Sequence, residues 1–307
     1  MPSAYKQVLE THRRRLIRVA ERRGVEKLKP IYNRAQEELV NKLGRLPIGM
    51  RSTFTAHAHQ VMLAQVRQGQ AILAGRLVGE MNDISKEAQG EALHGLVKDL
   101  DRLERHYTGS SVVLPIEEAA VFQGIIGDRR RSLMRMNRTS MAGYGGRLVE
   151  EMESAMSTSL ASGETVIDAI DRIQKVADVE WWQAARIART ETAYAYNSTA
   201  ADGMKVSAEV IPDLMMRWVE HVSDDGTPLD SRVGVDSIAM HGQVVEPGGV
   251  FTMPPATADG EVVPDSLVGK TWENPPNRPN DRSVLSPWRK DWGVPAWIWR
   301  DGRRQRV

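Results

Sequence analysis

Cysteine is absent from the 307 residues of this chain. Its absence excludes disulfide bonds and metal sites built from thiolates, so neither a small cross-linked scaffold nor a zinc finger is compatible with the sequence. A chain of this length has room for one large domain or two ordinary ones, and it can bury a substantial core without cross-links. The lack of cysteine also suits a reducing cytosol.

The chain also lacks a charge excess and a long apolar run. It has 41 Lys and Arg residues against 40 Asp and Glu, a net charge of +1, which gives no global electrostatic argument for binding nucleic acid or a membrane surface. No uncharged apolar stretch approaches the roughly 18–20 residues that a membrane-spanning helix needs, and the first residues contain no apolar signal core. We therefore expect a soluble protein, without a membrane span, made in the cytoplasm of its producer cell.

Proline is scarce in the first two thirds of the chain. Four of the 15 prolines precede residue 210, namely Pro2, Pro30, Pro47 and Pro115. Proline removes a backbone donor and clashes inside helices, so long helices are favoured before residue 210 and disfavoured after it. Six of the eight tryptophans also follow residue 210. The pattern predicts an α+β fold, with a long helical domain over 1–205 and a small β-rich, Pro/Trp-rich lobe over 206–307 that ends in an irregular tail.

Apolar residues in the first part recur at steps of three and four, as in helices with one buried stripe. The pattern predicts a first helix over 4–29 that ends before Pro30. Five glycines lie between residues 51 and 106, and each disfavours a helix interior by about 1 kcal/mol relative to alanine. Two or more helices are therefore expected in that segment.

Further local signals predict the elements that follow. Thr165 is expected to cap a short helix, with Asp168 at the third position of a capping box, and a separate last helix is predicted over 179–201. Alternating residues and turn signals then predict short strands. These strands lie near 216–222, 243–245 and 249–252, with a turn at 224–228 before the second of them.

The last predicted helix carries the first group of candidate site residues. Arg186 and Arg189 are three residues apart and share a face, with Glu191 to one side, while Asn197 lies on another face. One interpretation is a helix that faces an anion or a substrate. The other, which we favour, is an Arg–Glu network that holds the helix against the β-rich lobe.

A second group contains two histidines with carboxylates between them. His221, Asp224, Asp225 and His241 could in principle bind a divalent metal or act in acid–base chemistry. Their spacing matches no compact metal motif, and aspartate is common in turns, where it bonds to the local backbone. We therefore favour structural roles, with His241-Gly242 at a strand end, and we predict no catalytic residue, no metal and no cofactor.

Basic residues are clustered although the chain is nearly neutral. Residues 1–30 hold nine basic and three acidic residues, residues 128–138 hold five and one, and residues 300–307 hold four and one. In the first cluster Arg14, Arg18 and Arg22 form a row on one helix face. Phosphate backbones and acidic proteins are both natural partners for such a face, so this row is a candidate docking surface for an anionic partner.

A series of short motifs spans residues 180–285 in a fixed order. It contains Ile187-Ala188-Arg189-Thr190-Glu191, then Trp218, then His241-Gly242-Gln243, then Phe251 and Pro254-Pro255, and finally the segment from Asn274 to Arg282. In this order the motifs resemble the phage head-morphogenesis family, the Mu F-type minor head proteins. The cysteines usual at the end of that family's pattern are missing, and Asn280-Asp281-Arg282 stands in their place. We expect packing by Trp272 and Trp288 to substitute for them.

The resemblance implies a virion structural protein that is not an enzyme and that acts in capsid assembly and head morphogenesis near the portal vertex. Its implied partners are the portal protein and capsid or scaffold proteins, with packaged DNA as a further candidate. The resemblance also implies structural roles for the motif residues, which are Arg186, Arg189, Glu191, Asn197, Trp218, His241, Gly242 and Arg282. An alternative is an effector enzyme, a nuclease or ADP-ribosyltransferase-like toxin, in which Glu191, His221, Arg232 and His241 would converge in an open cleft.

Overall fold

The computed structural model describes residues 4–45, 54–222, 233–279 and 281–307. Helices dominate up to residue 207 and short antiparallel strands follow, so the α+β prediction is confirmed. The helical elements are α1 (Ala4–Ile17), a π-helix (Arg18–Gly24), α2 (Val25–Leu43), α3 (Ala56–Thr108), a 3₁₀ turn (Pro115–Glu117), α4 (Ala119–Ala161) and α5 (Val166–Ser207).

The first helical segment has the predicted buried stripe, but the helix does not end where it was predicted to end. Tyr5, Val8, His12 and Leu16 are buried at steps of three and four residues along α1. The helix was expected to stop before Pro30, which was wrong, because Pro30 lies inside α2. The π-helical stretch directly precedes α2, and π-bulges and prolines are the two usual places where a long helix bends without ending.

A single helix, α3, covers the segment in which two or more helices were expected. The expectation was wrong because packing outweighs the glycine penalty, as is usual for helices in proteins. Leu77, Met81, Ile84 and Ala88 are among the fully buried residues of its long apolar stripe. At Gly95 a Cβ atom would lie 2.6 Å from Arg15 Nη1, so a side chain there would require the Arg15 guanidinium to move.

The predicted capping box at Thr165 is confirmed. Thr165 Oγ1 accepts a hydrogen bond from the Asp168 amide at 3.2 Å, and Asp168 Oδ2 accepts one from the Thr165 amide at 3.0 Å. The helix that begins there does not stop before residue 179. It continues as α5 to Ser207, so the prediction of two separate helices over this segment was wrong.

The strands that follow are short. They are β1 (Met215–Val219), β2 (Val244–Val245), β3 (Phe251–Thr252), β4 (Thr271–Trp272), β5 (Val284–Trp288), β6 (Trp297–Arg300) and β7 (Arg303–Arg306), with helix α6 (Val235–Met240) after β1. β1 is the central strand of a three-stranded sheet and pairs antiparallel with β2 and β5. β3 pairs with β4, and β6 pairs with β7.

The C-terminal tail was expected to be irregular, and it is instead the hairpin β6–β7. Asp301 and Gly302, the two residues of its turn, both have positive φ angles, 53° and 71°. An Asp-Gly pair in this conformation makes the two-residue turn that matches the twist of a hairpin. The basic residues of the tail are therefore held on a strand.

The chain divides into two compact units. One contains Met1–Arg22, Ile84–Leu133 and Arg189–Val307, and the other contains Arg23–Asp83 and Met134–Ala188. The change from helix to strand falls between Ser207 and Met215. Whether 1–205 and 206–307 fold as separate domains stays a prediction. None of the helices in the described part of the chain is long and apolar enough to cross a membrane.

Candidate functional site: a buried polar joint and a basic cavity

Asn197 connects the last long helix to the edge of the three-stranded sheet. Its side chain is fully buried on α5, and its Nδ2 donates to the Ser283 carbonyl at 3.1 Å. Its Oδ1 accepts from the Leu285 amide at 2.9 Å. One amide side chain thus satisfies both a backbone acceptor and a backbone donor at the start of β5, as a neighbouring strand would.

Trp218 and the His241-Gly242-Gln243 triplet meet on the other side of β1. The Trp218 amide donates to the Gln243 carbonyl at 2.9 Å, and the Gly242 amide donates to the Trp218 carbonyl at 2.8 Å. The buried Trp218 ring contacts Phe251 edge-on, with centroids 5.3 Å apart. Gly242 has a φ angle of +80°, a backbone conformation that residues other than glycine rarely adopt.

Gln243 extends this pairing to the second sheet. Its Nε2 donates to the Thr252 carbonyl at 3.1 Å, and its Oε1 accepts from the Thr252 amide at 3.0 Å. The Gln243 side chain therefore forms the two hydrogen bonds with Thr252 that the backbone of a neighbouring strand would form. Four of the motif residues that are distant in sequence, Trp218, Gly242, Gln243 and Phe251, thus form one packed joint.

His241 is held as a neutral ring in this joint. Its Nδ1 accepts a hydrogen bond from the Glu220 amide at 3.1 Å. Burial, and then the positive charges of Arg217, Arg13 and Arg304, lower the pKa of His241 to about 3. The ring is therefore unprotonated at neutral pH and carries no charge into its surroundings.

Two buried carboxyl groups lie beside the joint, and their pairing is not predicted from the sequence. Ser283 Oγ is 2.6 Å from both Glu220 Oε2 and Asp281 Oδ1. Burial, and then the charge of Asp281, raise the pKa of Glu220 to about 7. Burial also raises the pKa of Asp281. Asp281 lies in the segment that ends the series of motifs, and this position is the signal that could have drawn attention to it.

The charged residues of the α5 motif are half-buried. Arg186, Arg189 and Glu191 all have interactions with other groups, as does Arg282. Arg189 and Arg282 line one small cleft together with Leu16 and the buried Asp281. That placement agrees with the structural interpretation of this helix face, although the individual roles stay predictions. Trp288, the expected substitute for the missing cysteines, is buried, whereas Trp272 is only half-buried.

The predicted docking row on the first helical segment lies at the surface. Arg14, Arg18 and Arg22 are all exposed. Arg14 makes an ion pair with Glu10 at 2.9 Å, and Arg18 makes one with Glu91 at 2.9 Å. Surface pairs of this kind contribute about 0–1 kcal/mol, so both arginines can exchange their partners at little cost.

A basic cavity of about 810 Å³ lies between α1, β1 and the C-terminal hairpin. Its charged and aromatic lining includes Tyr5, Arg13, Arg217, His241, Trp297 and Arg304. The Trp297 indole donates to the His241 carbonyl at 2.8 Å, which fixes the ring at the cavity wall. The Arg304 guanidinium stacks on the same ring, 4.2 Å from its centroid.

The described residues among those expected to converge in an enzyme do not share this cavity. His241 lines it, but Glu191 and His221 do not. Asp224, Asp225 and Arg232, together with the predicted 224–228 turn, lie outside the described residues. No group of three or more His, Asp or Glu side chains within the described ranges could hold a metal ion.

Comparison with known proteins found no matching family model, no matching curated protein and no matching solved structure.

Proposed function

We propose that this chain is a minor head protein of a phage, which acts in capsid assembly near the portal vertex of the virion. Its action in this proposal is binding and not bond-making. The ordered motifs of residues 180–285 are the basis for the family, and the portal, capsid and scaffold proteins are the proposed partners.

The observation that carries the proposal is how the motif residues are used. The side chains of Asn197 and Gln243, and the backbone amides of Trp218 and Gly242, form hydrogen bonds with the backbone of neighbouring strands. Groups that are committed to internal hydrogen bonds hold a fold together and are not available to a substrate. A set of residues with this use is expected in a structural module and supports the family's assembly role over turnover.

The state of His241 argues in the same direction. A general acid or base works best when its pKa lies near the operating pH, and a ring with a pKa of about 3 and an occupied Nδ1 is poorly suited to either task at neutral pH. An effector enzyme that depends on His241 is therefore disfavoured, and it becomes one outcome of the test below.

The test is whether the chain is a component of particles. Particles are purified from cells that carry the gene in its native genome, and mass spectrometry measures the ratio of the chain to the portal protein. We expect a fixed ratio, labelling at a single vertex with a specific antibody, and loss of filled heads when the gene is deleted. Complementation with the intact gene controls for effects on neighbouring genes. Filled heads at normal yield without the gene would refute the proposal, and a hydrolase or transferase activity in the purified chain would favour the effector enzyme.

A further inference from the structure

The basic cavity contains a buried guanidinium group that forms an ion pair with no carboxylate of the described residues. Arg217 is only 6 % exposed, and its Nη2 donates to the Pro295 carbonyl at 3.2 Å. Its Nε is buried and has no hydrogen-bond acceptor. None of the ion pairs in the described part of the chain includes Arg217.

Arg304 on β7 lines the same cavity, is half-buried and lies within electrostatic reach of Asp259. Its Nη2 donates to the Ala239 carbonyl at 2.6 Å and to the Ala256 carbonyl at 3.1 Å, and its Nε is buried without an acceptor. Burial lowers the pKa of Arg304. Arg13 also lines the cavity, and it donates to the backbone carbonyls of Val222 and Glu220.

Backbone carbonyls satisfy some of the donors of Arg217 and Arg304 but do not neutralise their charge. A buried charge is costly unless an opposite charge accompanies it, and its partner must bring acceptors for the remaining N–H groups. Phosphate oxygens meet both needs, because a guanidinium donates two parallel hydrogen bonds to them.

The size and the apolar lining indicate more than an inorganic ion. The cavity of about 810 Å³ lies within the range of about 300–1,000 Å³ that is usual for sites of small organic ligands. Tyr5, Leu9, Val294 and Trp297 provide apolar and aromatic surface beside the arginines. The lining therefore has a cationic part and a part suited to a planar or apolar body.

We propose that this cavity is a binding site for an organic phosphate of nucleotide size, with Arg217 and Arg304 contacting the phosphate groups and the aromatic wall contacting the rest of the ligand. The proposal does not depend on a role in the phage head, and it can fail or succeed separately. It assigns binding only, because neutral His241 is too weak an acid to transfer a proton and no carboxylate is among the described lining residues.

The test is calorimetric titration of the full chain with ADP, with pyrophosphate and with adenosine. We expect ADP to bind with a Kd below about 1 mM. Pyrophosphate should bind at least about tenfold more weakly because it lacks the body that contacts the aromatic wall, and adenosine should give no detectable heat because it lacks the phosphate groups. A 5′-phosphorylated oligonucleotide is titrated in parallel, to separate a free nucleotide from the end of a nucleic-acid strand.

Variants place the site. Arg304→Gln should weaken ADP binding by at least about tenfold, because hydrogen bonds between charged groups are among the stronger ones. Arg303→Gln is the matched control, since Arg303 lies on the same strand but is exposed and does not line the cavity. Arg217→Gln and Arg304→Lys provide second variants if one of them does not fold, and melting curves establish folding for each.

Four results would overturn the proposal. They are the absence of ADP binding to the folded chain, pyrophosphate binding as tight as that of ADP, binding of the oligonucleotide without binding of ADP, and unchanged ADP affinity in folded Arg304→Gln and Arg217→Gln.

Discussion

At the scale of single residues, Asn197 offers a direct test of the connection between α5 and β5. We expect Asn197→Ala to leave the Ser283 carbonyl and the Leu285 amide buried without partners. Each unsatisfied group costs about 1–3 kcal/mol. A loss of about 2 kcal/mol would lower the melting temperature by about 3 °C in a chain of 307 residues, as measured by calorimetry.

Asn41→Ala is the control for that substitution. Asn41 is exposed near the end of α2, so the same chemical change there should move the melting temperature by little. Equal melting curves for Asn197→Ala and the wild type would contradict the role of Asn197 as a connection between helix and sheet.

Glu220 predicts a pH dependence of stability. Its pKa is raised from 4.5 to about 7, so the folded state holds a proton that the unfolded state has already lost between those two pH values. The contribution of Glu220 to stability therefore falls as the pH rises from about 4.5 to 7. Glu220→Gln cannot ionise, and the melting temperature of the variant relative to the wild type should increase from about pH 5 to about pH 8.

Glu209→Gln serves as the matched control, because Glu209 is exposed at the end of α5. The difference in melting temperature between this variant and the wild type should stay constant with pH. A constant difference for Glu220→Gln as well would show that the buried pair does not hold a proton in the folded state.

The sequence identified some of these residues and missed others for a physical reason. Asn197, Trp218 and Gly242 belong to short motifs whose order can be read along the chain. Glu220 and Asp281 are far apart in sequence, and only the pairing of β1 with β5 brings them to Ser283. A burial that depends on long-range pairing leaves no local pattern, and the same holds for Arg217 and Arg304 in the cavity.

At the scale of elements, the capping box at the start of α5 offers a local test. Thr165→Ala removes the side-chain acceptor of the Asp168 amide and should destabilise the first turn by about 1 kcal/mol. Hydrogen exchange at residues 166–169 should therefore become faster. Thr158→Ala on α4 is the control, since exposed Thr158 bonds back to the Ser154 carbonyl and caps no helix. Unchanged exchange in Thr165→Ala would contradict the role of the cap.

The elements also show which signals a single sequence carries. The cap at Thr165 was predicted because it depends on residues three positions apart. The lengths of α2 and α3 were not, because proline and glycine penalties of about 1–3 kcal/mol are small beside the burial of a long apolar stripe. The hairpin β6–β7 was missed although the Asp301-Gly302 pair signals such a turn, because its many charged residues suggested a solvated tail.

At the scale of the whole molecule, charge is distributed unevenly although the total is near zero. Positive charge is concentrated at the exposed row Arg14, Arg18 and Arg22. Arg15 and Lys98 line the same surface depression as this row. Glu91 is the one acidic residue among the described lining residues of that depression. An anionic partner could replace the weak ion pairs of Arg14 and Arg18 and would find Arg22 beside them.

Reversal of this row to glutamate tests the docking surface. In Arg14→Glu/Arg18→Glu/Arg22→Glu we expect the fold around β1 to survive, because all three side chains are exposed, and we expect incorporation into particles to be lost. Circular dichroism and mass spectrometry of purified particles measure the two effects. Normal incorporation of the folded triple variant would refute docking through this face.

A second triple variant separates the position of the charge from its amount. Arg130, Arg131 and Arg135 are also exposed, and their reversal to glutamate changes the net charge by the same amount on α4. If only the first variant is excluded from particles, the partner binds the face that carries Arg14, Arg18 and Arg22. The salt dependence of binding then identifies the partner. If the logarithm of the binding constant falls steeply and linearly with log salt concentration, counterions are released from a phosphate backbone and the partner is DNA. A shallow dependence identifies an acidic protein surface.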